Sequence, residues 1–215
     1  MPVFSQHRFP GLWKAFQYTI GGTIDKRNLC LQHYNGEKTI LEIGCSLGNI
    51  SKAFVGLPDI HFTGLDIDPI VIDHARKHFR QKNNFKFVCQ DLRDFAKKKK
   101  DQYDYIIFAG MCHHVEDQEC FELLTIASET LLKRTGKLIV VEPLIPRPDD
   151  SWLVHYYLRL EQGLFLRRGR KLEDLLLQVK CLQIKDKQEI LIGATPLHSP
   201  VCARFGLYHL ALQTP

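Results

Sequence analysis

The stretch LEIGCSLGNIS at residues 41–51 places a glycine-bearing turn behind a short apolar run, an arrangement whose backbone can cradle part of a ligand. Two chemistries compete for it. A dinucleotide fingerprint G-x-G-x-x-G starting at Gly44 needs glycine at 46 and 49, where Ser46 and Asn49 stand. An acid followed by three alternating glycines needs Glu42, Gly44, a glycine at 46 and Gly48, and departs only at Ser46. The carboxylate at 42 separates the two readings, because it repels a pyrophosphate and suits a ligand with a positively charged amino group. A second acid, Asp66, ends the run FTGLD 22 residues after Gly44, where a carboxylate can accept hydrogen bonds from both hydroxyls of a ribose. A third, Asp91 in CQDLRD, could accept the exocyclic amine of an adenine beside the Leu92 N–H, or could simply cap a helix. Each signal is weak alone; three acids in this order on successive strand ends are specific.

These residues need elements to hold them. Apolar runs of strand length alternate with helical patterns: strands at 39–43, 61–66, 85–89, 103–108 and 137–141, with helices starting at 49–55 and covering 69–79 and 119–132. Asp68 is placed to cap the helix that opens with Pro69. Alternation of this kind implies right-handed crossovers and a parallel sheet covered on both faces. The near-continuous apolar runs DYIIFAG and KLIVVEP suit its central strands. After Pro143 comes a proline-rich loop, then helical sequence broken near Gly163 or Gly169, then two strand candidates at 181–192 and 204–213 able to pair antiparallel.

The 215 residues suffice for one domain with a full core, and 45% hydrophobic with 25% charged residues is ordinary for a soluble chain. No apolar run approaches the roughly 18 residues of a membrane span. The N-terminus lacks a continuous apolar segment and a small-residue cleavage site, so no signal peptide is expected. Seven cysteines without a CxxC pair, most in apolar stretches, point to reduced packed thiols and a cytoplasmic setting. The net charge of +5 is mild, and the KKKK run at 97–100 reads as a solvated helix end, with no nucleic-acid signature beside it.

The segments ILEIGCSLGNIS, GLDIDPIVIDHARK, CQDLRDF and YDYIIFAGMCHHVEDQE, across about residues 39–141, together resemble the class I S-adenosylmethionine-dependent methyltransferases. The resemblance implies an α/β fold with a doubly wound, mostly parallel seven-stranded sheet, order 3-2-1-4-5-7-6, strand 7 antiparallel and helices on both faces. One domain, 1–215, then divides into a helical lid (1–36), a cofactor-binding core (37–142), a substrate-cap insertion (143–178) and an antiparallel strand pair (179–215). The implied cofactor is S-adenosyl-L-methionine, with S-adenosyl-L-homocysteine as product. Glu42 would sit near the ligand's amino group, and Gly44, Cys45, Ser46 and Gly48 would line its methionine and ribose. Asp66 would hold the ribose, Ile67 would pack on the adenine, and Asp91 and Leu92 would bind its edge. Ala109, Gly110 and Met111 would face the sulfonium. Gly21 and Gly22 could form a lid, and Arg27 or Lys26 could meet the carboxylate, or belong to a solvated helix end.

Methyl transfer is an in-line displacement at an activated carbon, so alignment is the main requirement, and a base is needed only where the acceptor must lose a proton. Histidine suits that task. The candidates are His113 and His114, which follow the fourth strand, and His155 beside Tyr156 and Tyr157. Glu142 could orient the acceptor or one of these histidines. No metal is expected, since no metal-like ligand spacing occurs. Trp13, Met111, Glu142, Trp152 and Tyr156 are candidate acceptor contacts, in segments that also carry Arg159, Arg167, Arg168 and Arg170, taken as exposed charges. An apolar pocket there would take a small hydrophobic or acyl-type acceptor, free, carrier-bound or lipid-like, methylated at oxygen or carbon. A cofactor-binding partner subunit without catalysis, and a protein or RNA methyltransferase, are the alternatives; the polar NPPY-like tetrad of the latter is replaced by AGMC.

Overall fold

The computed structural model describes residues 23–98, 103–159, 163–193 and 199–213. Seven strands form a single sheet: β1 (Thr39–Ile43), β2 (His61–Asp66), β3 (Phe85–Cys89), β4 (Tyr103–Ala109), β5 (Leu132–Pro143), β6 (Leu182–Gly193) and β7 (Val201–Leu212). Their order is β3-β2-β1-β4-β5-β7-β6, and every pair is parallel except β5–β7 and β6–β7. This is the order and strand direction that the resemblance implied.

Helices cover both faces. On one lie α1 (Thr23–Leu31) and α2 (Pro69–His78), which bury Leu29, Cys30, Ile72 and Ala75 against Ile40, Tyr105, Ile107 and Ile139. On the other lie α3 (Leu92–Ala96), α4 (Asp117–Ile126) and, beyond the short α5 (Trp152–Leu158), α6 (Gly169–Gln178). Strand periodicity divides the core: Ile106 and Phe108 of β4 point to the second face while Tyr105 and Ile107 point to the first. The side chain of Asp68 accepts from Ile70 N at 2.8 Å and Pro69 fills the first turn, so α2 starts where capping chemistry places it.

Three elements differ from the sequence reading. The helix expected at 49–55 is only a 3-10 turn, Ser51–Phe54; Gly56 and Pro58 lie too close behind it for an α-helix to propagate. The helix expected to reach 132 ends as α4 at Ile126 and continues as one wide π turn, Ala127–Leu131. Strand β5 then starts at once, earlier than expected, its register to β4 shifting between Tyr103 and Tyr105. Among the described residues no helix is long and apolar enough to cross a membrane.

Candidate functional site

A cavity of about 570 Å³ opens at the carboxyl ends of β1 to β4, where ligands of doubly wound sheets collect. The turn after β1 forms its floor. Gly44 N and Cys45 N both donate to Leu65 O, at 2.8 and 3.0 Å, which fastens the turn to β2. Gly44 has φ +73, and a side chain there would come within 2.5 Å of Met111 Cγ, so glycine is required for both backbone and space. Ser46 also adopts a left-handed backbone, φ 46. Its N–H donates to Asp66 Oδ2 at 2.9 Å, while Asp68 N donates to Oδ1 at 3.0 Å. Burial raises the Asp66 carboxyl above its ordinary range, and these N–H groups oppose that rise.

Glu42 is buried at the end of β1 and accepts from Ser51 Oγ. Burial pushes it up to about 8, against the pull of Ser51 and Arg27 and with the help of Asp66. Asp91 ends the next crossover: Oδ1 caps α3 by accepting from Arg93 N at 2.7 Å, and Oδ2 lies 3.1 Å from Arg93 Nη1. The same guanidinium reaches Glu119 and Glu122 on α4. Glu42, Asp66, Asp68, Asp91 and Glu119 thus make the lining strongly acidic, with Lys26 and Arg93 as its lysine and arginine among the described residues.

The reacting end is built differently. The turn after β4 carries Gly110, Met111, His113, His114 and Val115 along the cavity. Glu142, buried at the end of β5, supports it from beneath. Its Oε1 accepts from Met111 N and Cys112 N at 2.7 and 2.8 Å, and its Oε2 from His113 N at 3.3 Å and lies 2.7 Å from His113 Nδ1. Burial alone would raise the Glu142 carboxyl, but the His113 ring and the N–H groups hold it below the ordinary carboxylate range. The His113 ring is buried and lies against the more exposed His114, centroids 4.2 Å apart. Met111, Pro143 and Phe205 add apolar wall, and Lys26 Nζ stands 5.5 Å over the Phe205 ring.

Of the residues expected at the cofactor, Glu42, Gly44, Cys45, Ser46, Asp66, Ile67, Asp91, Leu92, Ala109 and Gly110 all line this cavity. Two do not. Gly48 is turned away and packs against Phe79, where an added Cβ would lie 2.8 Å from the ring. Arg27 spends its Nε on Asn49 O at 2.6 Å, and Lys26 takes the lining place. Corrections are larger on the acceptor side. His155 is exposed on α5 with Nε2 3.1 Å from Arg147 O, outside the cavity lining. Trp152 and Tyr156 on the same helix are exposed and also lie outside it. Glu142, expected to orient either the acceptor or a histidine, holds His113 and lies outside the cavity lining. Arg167, taken as a surface charge, is buried at 3% exposure. Trp13, Gly21 and Gly22 lie outside the described residues, as does the Tyr157 side chain. Arg93 and Phe205 were missed: Arg93 sits two residues after Asp91 and could have been suspected, whereas Phe205 arrives only through its register with Pro143.

Residues 40–136 match the family model described as a methyltransferase domain. The malonyl-[acyl-carrier protein] O-methyltransferase of Acetivibrio thermocellus is 35% identical over 69 residues, 32% of this chain and 23% of that protein. The ubiquinone biosynthesis O-methyltransferase of Erwinia tasmaniensis is 29% identical over 126 residues, 57% of this chain and 49% of that protein. The chain therefore spans about half or less of the length of these relatives. Human N-acetylserotonin methyltransferase, solved with S-adenosylmethionine, superposes with a TM-score of 0.64 at 19% identity, covering 96% of this chain and 60% of that one. Residues 40–136, just under half of the chain, are thus similar to the methyltransferase-domain family, and the chain shares the fold of solved methyltransferases such as the human N-acetylserotonin enzyme.

Proposed function

We propose that the protein transfers a methyl group from S-adenosylmethionine to an oxygen of a small, apolar or acyl-type acceptor. The observation that carries this reading is the acidic cradle: three carboxylates, Glu42, Asp66 and Asp91, stand at the ends of three successive strands around one cavity. That donor set fits a cationic nucleoside ligand and opposes a pyrophosphate. In this reading Asp66 holds the ribose, Asp91 and Leu92 take the adenine edge, and Glu42 faces the ammonium group. Lys26 is the lining cation available to the carboxylate. The cofactor, when bound, supplies an activated methyl carbon.

The chain's own residues then align and deprotonate. Gly44 and Met111 shape the passage between the cradle and the reacting end. His113, fixed through Nδ1 by Glu142, packs behind His114 and limits its freedom. His114 would take the proton released by the acceptor oxygen on methylation. Both named relatives are O-methyltransferases, which supports oxygen as the atom attacked. The apolar wall of Met111, Pro143 and Phe205 supports an acceptor with an apolar body. Exposed Trp152, Leu164 and Phe165, with exposed Arg168 following, support delivery by an acidic carrier.

Calorimetry with S-adenosylhomocysteine and NADH tests the reading. Binding of the former alone, abolished by Asp66→Ala, is expected. NADH binding, or S-adenosylhomocysteine affinity indifferent to Asp66→Ala, overturns it. Cofactor binding without turnover of any phenol, carboxylic acid or acyl thioester would turn the reading to a non-catalytic partner subunit.

A further inference from the structure

The turn after β4 has its polar backbone satisfied from two sides. Glu142 takes the N–H groups of Met111, Cys112 and His113 from below. From above, Arg167, which lies outside the cavity lining, donates Nη1 to Cys112 O at 2.7 Å, Nη2 to Val115 O at 2.9 Å and Nε to Asp117 Oδ1 at 2.8 Å. All three arms of a buried guanidinium are spent on one short stretch of chain. The residues before it dock on the same turn: Phe165 N donates to His113 O at 3.0 Å, and Gly163 lies so close that an added Cβ would be 1.9 Å from His113 Cδ2. Arg167 is itself held to the end of the sheet, since its carbonyl accepts from Ile145 N at 2.9 Å.

A buried arginine costs desolvation, and a lone carbonyl contact would not offset it. Two charge-assisted hydrogen bonds to the turn and an ion pair with Asp117 at the start of α4 do, and they impose a geometry that no apolar residue could. The turn so gripped presents Gly110, Met111, His113 and His114 to the cavity.

We propose that Arg167 is a positioning residue, acting through the 110–115 turn to set the reacting end of the cavity and to join the insertion after β5 to it as one mechanical unit. This rests on the proposed cofactor reading. Arg167 touches no ligand. Its effect is confined to ligands long enough to reach the turn, while the adenine and ribose end, built by Asp66, Asp91 and Arg93, does not depend on it.

The test compares S-adenosylhomocysteine with adenosine, which ends at the ribose, by calorimetry on the wild type, Arg167→Lys, Arg167→Met and the remote exposed control Arg134→Met. Thermal unfolding checks each variant, and Arg167→Lys carries the test alone should Arg167→Met not fold. The expected result is S-adenosylhomocysteine affinity reduced about tenfold or more in Arg167→Lys, the loss of about one charge-assisted bond. Adenosine affinity should stay within about twofold, and Arg134→Met should bind both ligands as the wild type does. Equal loss of both ligands would make Arg167 merely structural, and unchanged S-adenosylhomocysteine affinity would remove any role; either overturns the proposal. A wild type that binds neither ligand would instead sink the cofactor reading on which the proposal stands.

Discussion

Ser46 holds a left-handed backbone, φ 46, at a position where the motif of the resembling methyltransferases has glycine. The Cβ makes that conformation costly, by about 1–2 kcal/mol. The position is kept because its N–H closes on Asp66. Ser46→Gly should therefore raise the unfolding free energy measured in urea, by about 1 kcal/mol after the entropy of glycine is counted. It should also bind S-adenosylhomocysteine no more weakly than the wild type; weaker binding would mean that the hydroxyl itself contacts the ligand. Glu42 gives a pH signature. Its carboxyl rises from 4.5 to about 8 on burial, so the native state keeps a proton that the unfolded state has lost. The associated stability is complete below 4.5 and is lost as pH rises through about 8. Glu42→Gln should flatten that decline in a series of denaturant titrations. In the proposed complex an ammonium group beside Glu42 favours the charged form, so calorimetry near neutral pH in buffers of different ionisation enthalpy should detect proton release on binding by the wild type and less in Glu42→Gln.

At the scale of elements, the carboxylates serve structure and site together. Asp91 caps α3 and lines the cavity, and two substitutions separate the roles. Asp91→Ser keeps a capping oxygen and should stay within about 0.5 kcal/mol of wild-type stability, whereas Asp91→Ala should lose about 1 kcal/mol. Both should weaken S-adenosylhomocysteine binding. Affinity retained in Asp91→Ser would show that the aspartate is a cap and nothing more. The turn after β4 follows a similar logic around a single 3-10 turn, Cys112–His114. The N–H groups of Met111, Cys112 and His113 find Glu142 and the carbonyls of Cys112 and Val115 find Arg167, so a strand end and an insertion far apart in the chain supply hydrogen bonds that a longer helix would make locally.

At the scale of the whole molecule, the end of the sheet away from the cavity is closed by a cluster of ionisable side chains. The His209 ring of β7 stacks on His33 after α1, centroids 4.5 Å apart, and Lys137, Asp186 and Glu37 face them. Burial first, then the neighbouring His33 and Lys137, lowers His209 from 6.5 to about 4, against the opposing pull of Asp186 and Glu37. The unfolded chain therefore takes up a proton that the native one refuses. The contribution of His209 to stability is full above 6.5 and declines as pH falls toward about 4. His209→Gln should make the acid limb of the stability curve shallower between those limits; an unchanged limb would assign acid sensitivity to other groups.

Local chemistry made much of this protein readable. The strands β1 to β4, the cap of α2 and the acids at 42, 66 and 91 follow from periodicity, capping and the polarity of strand ends, all properties of near neighbours in the chain. The strand order came from resemblance, and the cavity shows why the acids share one site: parallel strands put all their carboxyl ends on the same edge. What the sequence could not decide is which distant side chains close the site. Phe205 reaches the cavity because β7 pairs with β5 and sets it opposite Pro143, and Arg167 leaves the surface because the insertion folds back onto the turn it grips. Trp152, Tyr156 and His155, chemically apt by type, fall outside because α5 carries them away from the cavity. Residue type and spacing determine what a strand end can bind. Tertiary packing alone determines which remote residues meet there, because burial and hydrogen-bond completion are settled by groups the local chain never contacts.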